Sequence, residues 1–231
     1  MSPGDQIRHG GHRSGMRLAP EGADIIILSA VLVVAAVAFS LLRAEGRGLW
    51  LPAVAALWFL AVVQFFRDPN RVTPAGDNLI IAPADGKVIA VGEALDSPLN
   101  PPGQRVSIFM SPINVHVNRA PVAGTVKERT HRNGRFFSAF KAQAARDNEQ
   151  TLLVLGTPFG DVAIKQVAGF LARRIICHPK PGDKLSAGAR IGMIRFGSRV
   201  DLFLPGQATL KVRVGDRVTA GETIVGVFEN G

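Results

Sequence analysis

The chain of 231 residues contains one cysteine, Cys177. That excludes an intramolecular disulfide and any multi-cysteine zinc site, and the thiol reads as a small buried hydrophobe. Acidic residues are few, 18 against 27 lysines and arginines, so the net charge is +9. Such a surface favours anionic partners, either nucleic acid or the acidic face of a membrane. Aromatic residues make up only 6% of the chain and do not interleave with the basic ones. Base stacking therefore has no platform, and nucleic acid is not the expected partner.

What the chain does have is hydrophobicity, unevenly spread. IIILSAVLVVAAVAFSLL (Ile25–Leu42) carries only Ser29 and Ser40 as polar residues, and LWLPAVAALWFLAVVQFF (Leu49–Phe66) is a second such run. Each has about the ~17–25 residues that a spanning helix needs. The link between them, RAEGRG, is short, which predicts a helical hairpin. Two long apolar runs also argue against a cleaved signal peptide. Arg8, Arg13 and Arg17 precede the hairpin, and Arg67 and Arg71 follow it. Only Arg43 and Arg47 stand in the link, so both termini are expected on the cytoplasmic side of the cell membrane. Trp50 and Trp58 are candidate interface anchors. The chain thus divides into a basic tail over 1–23, a membrane hairpin over 24–68 and a β-rich domain over 69–231.

The β-rich reading rests on short runs such as NLIIAPADGKVIAVGEA, RVSIFMSP and QTLLVLGTP, separated by Gly and Pro. Only Phe136–Gln150 leaves room for a helix or a long loop. Near the end, PKPGDKLSAGARIGMIRF (Pro179–Phe196) repeats as VRVGDRVTAGETIVGVF (Val212–Phe228). Gly182-Asp183 matches Gly215-Asp216, and Ala187-Gly188 matches Ala220-Gly221; these glycines supply positive φ at sharp turns. The pattern resembles the β-hammerhead of lipoyl and biotinyl domains. The expected fold is therefore mainly β (α+β): a sandwich with hammerhead-like repeats behind an N-terminal hydrophobic helical hairpin. A carrier role does not follow, because Lys211 is not in a flanked hairpin tip.

Four pieces are candidates for chemistry: Asp85 in the turn of APADGKV, His116 in the alternating stretch SPINVHVNRAPVAG, Asn148-Glu149, and the pair Gly197-Ser198 between two strand-like runs. In the second of those runs, Val200, Leu202 and Leu204 share one face. Singly each piece is weak. Together with the repeat and the hairpin, the elements APADG, the His strand ending in RAP, GRF…A…NE, FGS and VGDRVTAGETIVG resemble the short, pyruvoyl-dependent phosphatidylserine decarboxylases from about Pro69 onward.

That resemblance implies a self-processing proenzyme. The Ser198 hydroxyl would attack the Gly197 carbonyl, exchanging an amide for an ester. Elimination would leave a dehydroalanine, and its hydrolysis a pyruvoyl group with loss of ammonia. The products would be a β chain of residues 1–197 and an α chain of 198–231, held as a heterodimer, with a higher homo-oligomer left open. Gly197 offers no side chain to obstruct the attack. Serine needs a base, and the family's Asp-His-Ser relay points to His116 oriented by Asp85. The pyruvoyl ketone would condense with the amine of phosphatidylserine, act as electron sink for loss of carbon dioxide, and release phosphatidylethanolamine, with no metal. Longer family members carry two histidines before the Pro; here only His116 stands there, with His131 and His178 as possible substitutes elsewhere. Arg67 and Arg71 either hold the phosphodiester or only signal topology. A lysostaphin-type zinc peptidase would need a His-x-His pair where His116-Val117-Asn118 stands. A membrane-anchored β-module without catalysis would show no self-cleavage.

Overall fold

The computed structural model describes residues 17–42, 50–94, 96–137, 140, 144–169, 174–195 and 198–229, and every statement of absence below refers to these. The hairpin link and Gly197 lie outside them.

A 3-10 turn, Pro20–Gly22, leads into α1 (Ala23–Leu42); α2 is Trp50–Phe65. Both helices are apolar on all sides and expose most of that surface, including Val34, Leu41, Leu42, Leu57 and Trp58. Water is the wrong solvent for such faces. Pro20–Leu42 is long and apolar enough to cross a membrane. The second run, expected to match the bilayer, yields only 16 helical residues. These rise about 24 Å, short of a ~30 Å hydrocarbon core. It stops early because Phe66 turns and Arg67–Asp68 (β2) pairs with Arg17–Leu18 (β1). Trp58 does not only anchor: its indole N–H donates to Ser29 Oγ at 3.2 Å, tying the helices together.

Buried charge and packing fix the hairpin base to the rest. The Glu21 carboxylate accepts from Arg190 and from His178 at 2.6 Å. Asp68 accepts from Arg119 at 2.7 Å, and Arg195 reaches Asp24 at 3.1 Å. The Phe66 ring is fully buried among Ala19, Val62, Val115, Val117 and Met193. Gly22 is required beside it, since a Cβ there would lie 2.2 Å from the ring.

The β domain comprises β3 (Leu79–Ile81), β4 (Gly86–Glu93), β5 (Gln104–Met110), β6 (Val117–Arg119), β7 (Gly124–Arg132), β8 (Gln150–Thr157), β9 (Gly160–Ala168), β10 (Ile175–Cys177), β11 (Lys184–Leu185), β12 (Arg190–Ile194), β13 (Ser198–Leu204), β14 (Ala208–Leu210), β15 (Arg217–Val218) and β16 (Ile224–Phe228), with one helical turn, α3 (Ala144–Asp147). An eight-stranded sheet has the order β11-β7-β8-β9-β13-β5-β4-β15, flanked by β10-β12-β6 and β14-β16-β3. The fold is mainly β, as expected.

The large sheet reads alike from either edge. β11 pairs with β7 through Lys184–Thr125 and Leu185–Gly124; β15 pairs with β4 through Arg217–Lys87 and Val218–Gly86. A register shift falls between Val126 and Glu128 in one half and between Val88 and Ala90 in the other. The Gly182 N–H donates to the Val126 carbonyl as the Gly215 N–H donates to that of Val88, both at 2.8–2.9 Å. Gly182 and Gly215 have φ of 95° and 105°, Gly188 and Gly221 of 76° and 77°. The duplication is therefore wider than the repeat visible in the sequence, and Ala120–Val126 is the counterpart of Ala82–Val88.

The central strands β9 and β13 are counterparts as well. Gly160, which opens β9, pairs with Thr157 at the end of β8, and Pro158-Phe159 closes that hairpin. Ser198, which opens β13, pairs with Met110 at the end of β5. No hairpin joins those two strands; β13 is supplied from far downstream. The Gly-Ser pair thus stands where the other half has a turn. Val200, Leu202 and Leu204 face the main core. The opposite face is buried too: Arg199 donates to Asp201 at 2.6 Å and to Ser107 at 3.0 Å, and Phe203 packs with Ala94 and Leu99.

Candidate active site

Ser198 owes its place to β13, which is hydrogen-bonded on both sides, to Met110 of β5 and to Ala168 of β9. The residue is fully buried, and its hydroxyl donates to the Met110 thioether, Oγ to Sδ 3.2 Å. Sulfur is a weak acceptor, so the hydroxyl is poorly satisfied. Asn118 Nδ2 reaches the same Met110 Sδ at 3.6 Å, and Gln166 Nε2 donates to Asn118 Oδ1 at 2.8 Å. Asn118 and Gln166 are buried, and Gln166 Oε1 has no partner. A cluster of polar groups with unused capacity therefore surrounds Ser198, a condition that native cores rarely tolerate without a use.

His116 immediately precedes β6 and lies on the same side of the extended chain as Asn118, two residues on. It is fully buried. Its Nδ1 lies 2.9 Å from the Asn114 carbonyl, which it can satisfy only by donating, and its Nε2 is buried without a partner. Such a tautomer leaves Nε2 as a free base. The Phe65 ring, on the last residue of α2, lies 4.2 Å from the imidazole. Burial lowers the pKa of His116 to about 4, with Arg67 pushing the same way and the Asn114 hydrogen bond opposing. The imidazole is neutral at ordinary pH.

Asp85 sits just before β4, at the same end of the sheet. Its carboxylate accepts from Arg71 at 2.9 Å and from the Ala220 N–H at 2.8 Å. Burial raises its pKa, against the lowering effects of Ala220, Arg71 and Arg67. No hydrogen bond joins it to His116, and none joins His116 to Ser198. The structure brings the three to one end of the sheet without the relay the sequence suggested. Arg71 is occupied by Asp85 and by Glu222 at 3.2 Å, while Arg67 donates to the carbonyls of Gln64 and Ile113. Gly197, the other half of the cleavage pair expected from the sequence, falls outside the described residues.

The remaining histidines are engaged elsewhere. His178 belongs to the hairpin base through Glu21. His131 bonds Thr151 on β8 and is separated from β13 by two strands, about 14 Å at ordinary strand spacing. Burial pushes the Cys177 thiol up to about 11, so it stays protonated. Asn148 is buried and spans the Phe137 backbone and the Ala168 carbonyl with bonds of 2.7–2.9 Å, fixing the strand that flanks Ser198. Sequence reasoning missed Met110, Asn118, Gln166 and Phe65. Only Asn118 left a signal, as a buried amide alternating with His116.

The profile of the phosphatidylserine decarboxylase family matches residues 58–226. A phosphatidylserine decarboxylase proenzyme from Chlorobaculum tepidum is 42% identical over 212 residues, covering 91% of this chain and 98% of its own length. The proenzymes of Geotalea uraniireducens and Geobacter sulfurreducens are 49% and 46% identical over 170 residues, 73% of this chain and 80% and 78% of theirs.

Proposed function

The chain belongs to the phosphatidylserine decarboxylase family, and we propose that it converts phosphatidylserine to phosphatidylethanolamine and carbon dioxide after cutting itself between Gly197 and Ser198. The observation that carries this reading is the placement of Ser198. It opens a central strand that is paired on both sides independently of the bond preceding it. Severing that bond leaves β13 in the sheet, and the 198–231 chain stays attached also through β15 on β4 and β16 on β3.

In the first stage Ser198 Oγ attacks the Gly197 carbonyl carbon while His116 Nε2 accepts its proton. The C–N bond breaks and an ester forms. Elimination returns the Gly197 carboxylate as the end of the β chain, and hydrolysis releases ammonia. A neutral, partnerless Nε2 suits this role; a protonated one would have no capacity. The weak Met110 contact lets the hydroxyl turn to a better acceptor at small cost.

The residues present fit a pyruvoyl group at position 198, since Asn118 Nδ2, which donates to the weakly accepting Met110 thioether, brings a buried N–H donor beside it for a carbonyl oxygen. Such a group supplies the electron sink that decarboxylation requires. His116 Nε2 would take the proton that the substrate's ammonium must lose before it can condense and return it to the α-carbon after carbon dioxide leaves, and Phe65 and the packed end of α2 keep water from the imidazole. Asp85, held by Arg71 and Ala220, fixes the loop before β4 rather than the imidazole. The hairpin, running directly into the site through Phe65 and Arg67, holds the domain at the cytoplasmic face of the membrane, where the headgroup lies. The test is release of labelled carbon dioxide from carboxyl-labelled phosphatidylserine. It is expected from the native chain and absent from Ser198→Ala; equal release from both would refute the reading.

A further inference from the structure

Acylation changes what Ser198 Oγ can do. In the precursor the hydroxyl donates to the Met110 thioether at 3.2 Å. Once it carries the Gly197 acyl group, the same oxygen has no hydrogen and can only accept. The sulfur is itself only an acceptor, so it then offers Oγ nothing. Among the described residues, the side-chain N–H that shares this sulfur is Asn118 Nδ2, 3.6 Å from it. Both groups therefore stand against one atom. Met110 is the cross-strand partner of Ser198 on β5, and Asn118 reaches its sulfur from β6. Which end of the Asn118 amide faces the sulfur is set by Gln166, whose Nε2 donates to Asn118 Oδ1 at 2.8 Å. Gln166 lies on β9 opposite Val200, and so on the Ser198 side of the sheet. A buried chain thus runs from Gln166 through Asn118 to the sulfur beside Ser198. Gln166 Oε1 has no partner, and Asn118 Nδ2 donates only to a thioether. Leucines would fill both places without that polar cost, so the chain implies a use.

We propose that Asn118 Nδ2 is the donor that stabilises Ser198 Oγ as it leaves in the elimination step, and that Gln166 is the positioning residue that holds it there. The inference rests on the self-processing reading and deepens it. In that step the Ser198 Cα–H bond breaks. Its proton goes to His116 Nε2, which by then has passed the hydroxyl's proton to the freed amine nitrogen. The electron pair forms the Cα=Cβ bond of the dehydroalanine. The Cβ–Oγ bond breaks, and Oγ keeps its pair as one oxygen of the Gly197 carboxylate. Negative charge therefore grows on the atom beside Asn118. A preorganised N–H in a buried site acts most strongly on charge that appears only during the step. In the earlier attack the charge develops on the Gly197 carbonyl oxygen instead, so loss of Asn118 falls mainly on the second step.

The test is a time course of full-length chains made by cell-free synthesis in lipid nanodiscs, quenched in neutral hydroxylamine and read by intact mass. Hydroxylamine cuts the ester and yields a 198–231 chain that begins with unaltered serine. Completed elimination yields the pyruvoyl chain instead, so each sample reports both steps. The native chain should accumulate little ester. Asn118→Leu should form the ester and lose it about 100-fold more slowly, as expected for one such donor. Gln166→Leu should slow the same loss about tenfold through misplacement of the amide. The Asn118→Leu/Gln166→Leu double variant should match Asn118→Leu, because Gln166 acts only through Asn118. It also removes the unpaired amide that either single change leaves, which keeps the test open if a single variant fails to fold. Packing damage alone would slow formation of the ester along with its loss and leave the ester fraction low. Variants that reach the pyruvoyl chain at the native rate would overturn the proposal. So would variants that stall uncut with no ester, or a double variant a further tenfold slower than Asn118→Leu. A native chain that forms neither ester nor pyruvoyl would refute self-processing itself, and the proposal with it.

Discussion

Replacing Phe65 with alanine removes the ring that lies 4.2 Å from His116 and opens the imidazole to water. The groups facing that imidazole are the Asn114 carbonyl on its own loop and, through space, the Arg67 guanidinium after α2. Burial is the main reason its pKa falls from 6.5 to about 4. Relief of burial therefore moves the pKa back up, toward about 6.5 if water enters freely. The native chain keeps a neutral base at pH 5.5, and its self-cleavage should be flat between pH 5.5 and 7.5. In Phe65→Ala only about one-tenth of the base would be neutral at pH 5.5, so cleavage should slow about tenfold there and recover at pH 7.5. Phe65→Leu, which retains an apolar cover, should stay flat and controls for packing loss. The assay is a pulse of cell-free synthesis into lipid nanodiscs, a shift of pH, and a time course of intact and cut chains. A flat profile in Phe65→Ala, or an acid limb near pH 6.5 in the native chain, would refute the reasoning. The same shift acts on stability. A histidine whose folded pKa is depressed contributes fully above 6.5, and that contribution is lost as pH falls through 4, about 3 kcal/mol in all.

Other outcomes follow from single contacts. Gly86→Ala would place a Cβ 2.1 Å from the Phe109 carbonyl oxygen; forcing β4 from β5 should cost about 2–3 kcal/mol and lower Tm by roughly 5–10 °C in a thermal scan. Asn148→Leu leaves the Phe137 and Ala168 backbone groups unpaired, which should cost about 2–4 kcal/mol in denaturant unfolding and slow cleavage. Glu21→Gln weakens the tie to Arg190 and His178 at the hairpin base. It should speed limited proteolysis around residues 67–76 several-fold while leaving the sheet protected.

Much of this arrangement was legible from residues alone, for identifiable reasons. The hairpin is visible because apolar surface cannot be disguised over two long runs. The repeated Gly-Asp turns are visible because positive φ at Gly182, Gly188, Gly215 and Gly221 restricts the residue choice. The wider duplication is not visible. Strand pairing is made by backbone, so Ala120–Val126 and Ala82–Val88 occupy matching registers with Ala123 opposite the position of Asp85. The motifs pointed to Ser198 and His116 as candidates, but gave nothing of their geometry. Asp85 finds Arg71, fourteen residues upstream, and the Ala220 N–H in the second repeat. Nothing in APADGKV signals either. The second helix is shorter than its apolar run suggests because Phe66 and Arg67 are drawn into the β domain, a tertiary effect that hydropathy does not record.

The central claim is that the chain cuts itself at Gly197–Ser198, and intact mass spectrometry of the purified protein in detergent addresses it directly. The account predicts two chains, 1–197 and 198–231, the shorter one lacking the mass of one ammonia relative to its hydrolysed sequence. A single chain of 231 residues, unchanged after incubation with phosphatidylserine, would contradict it.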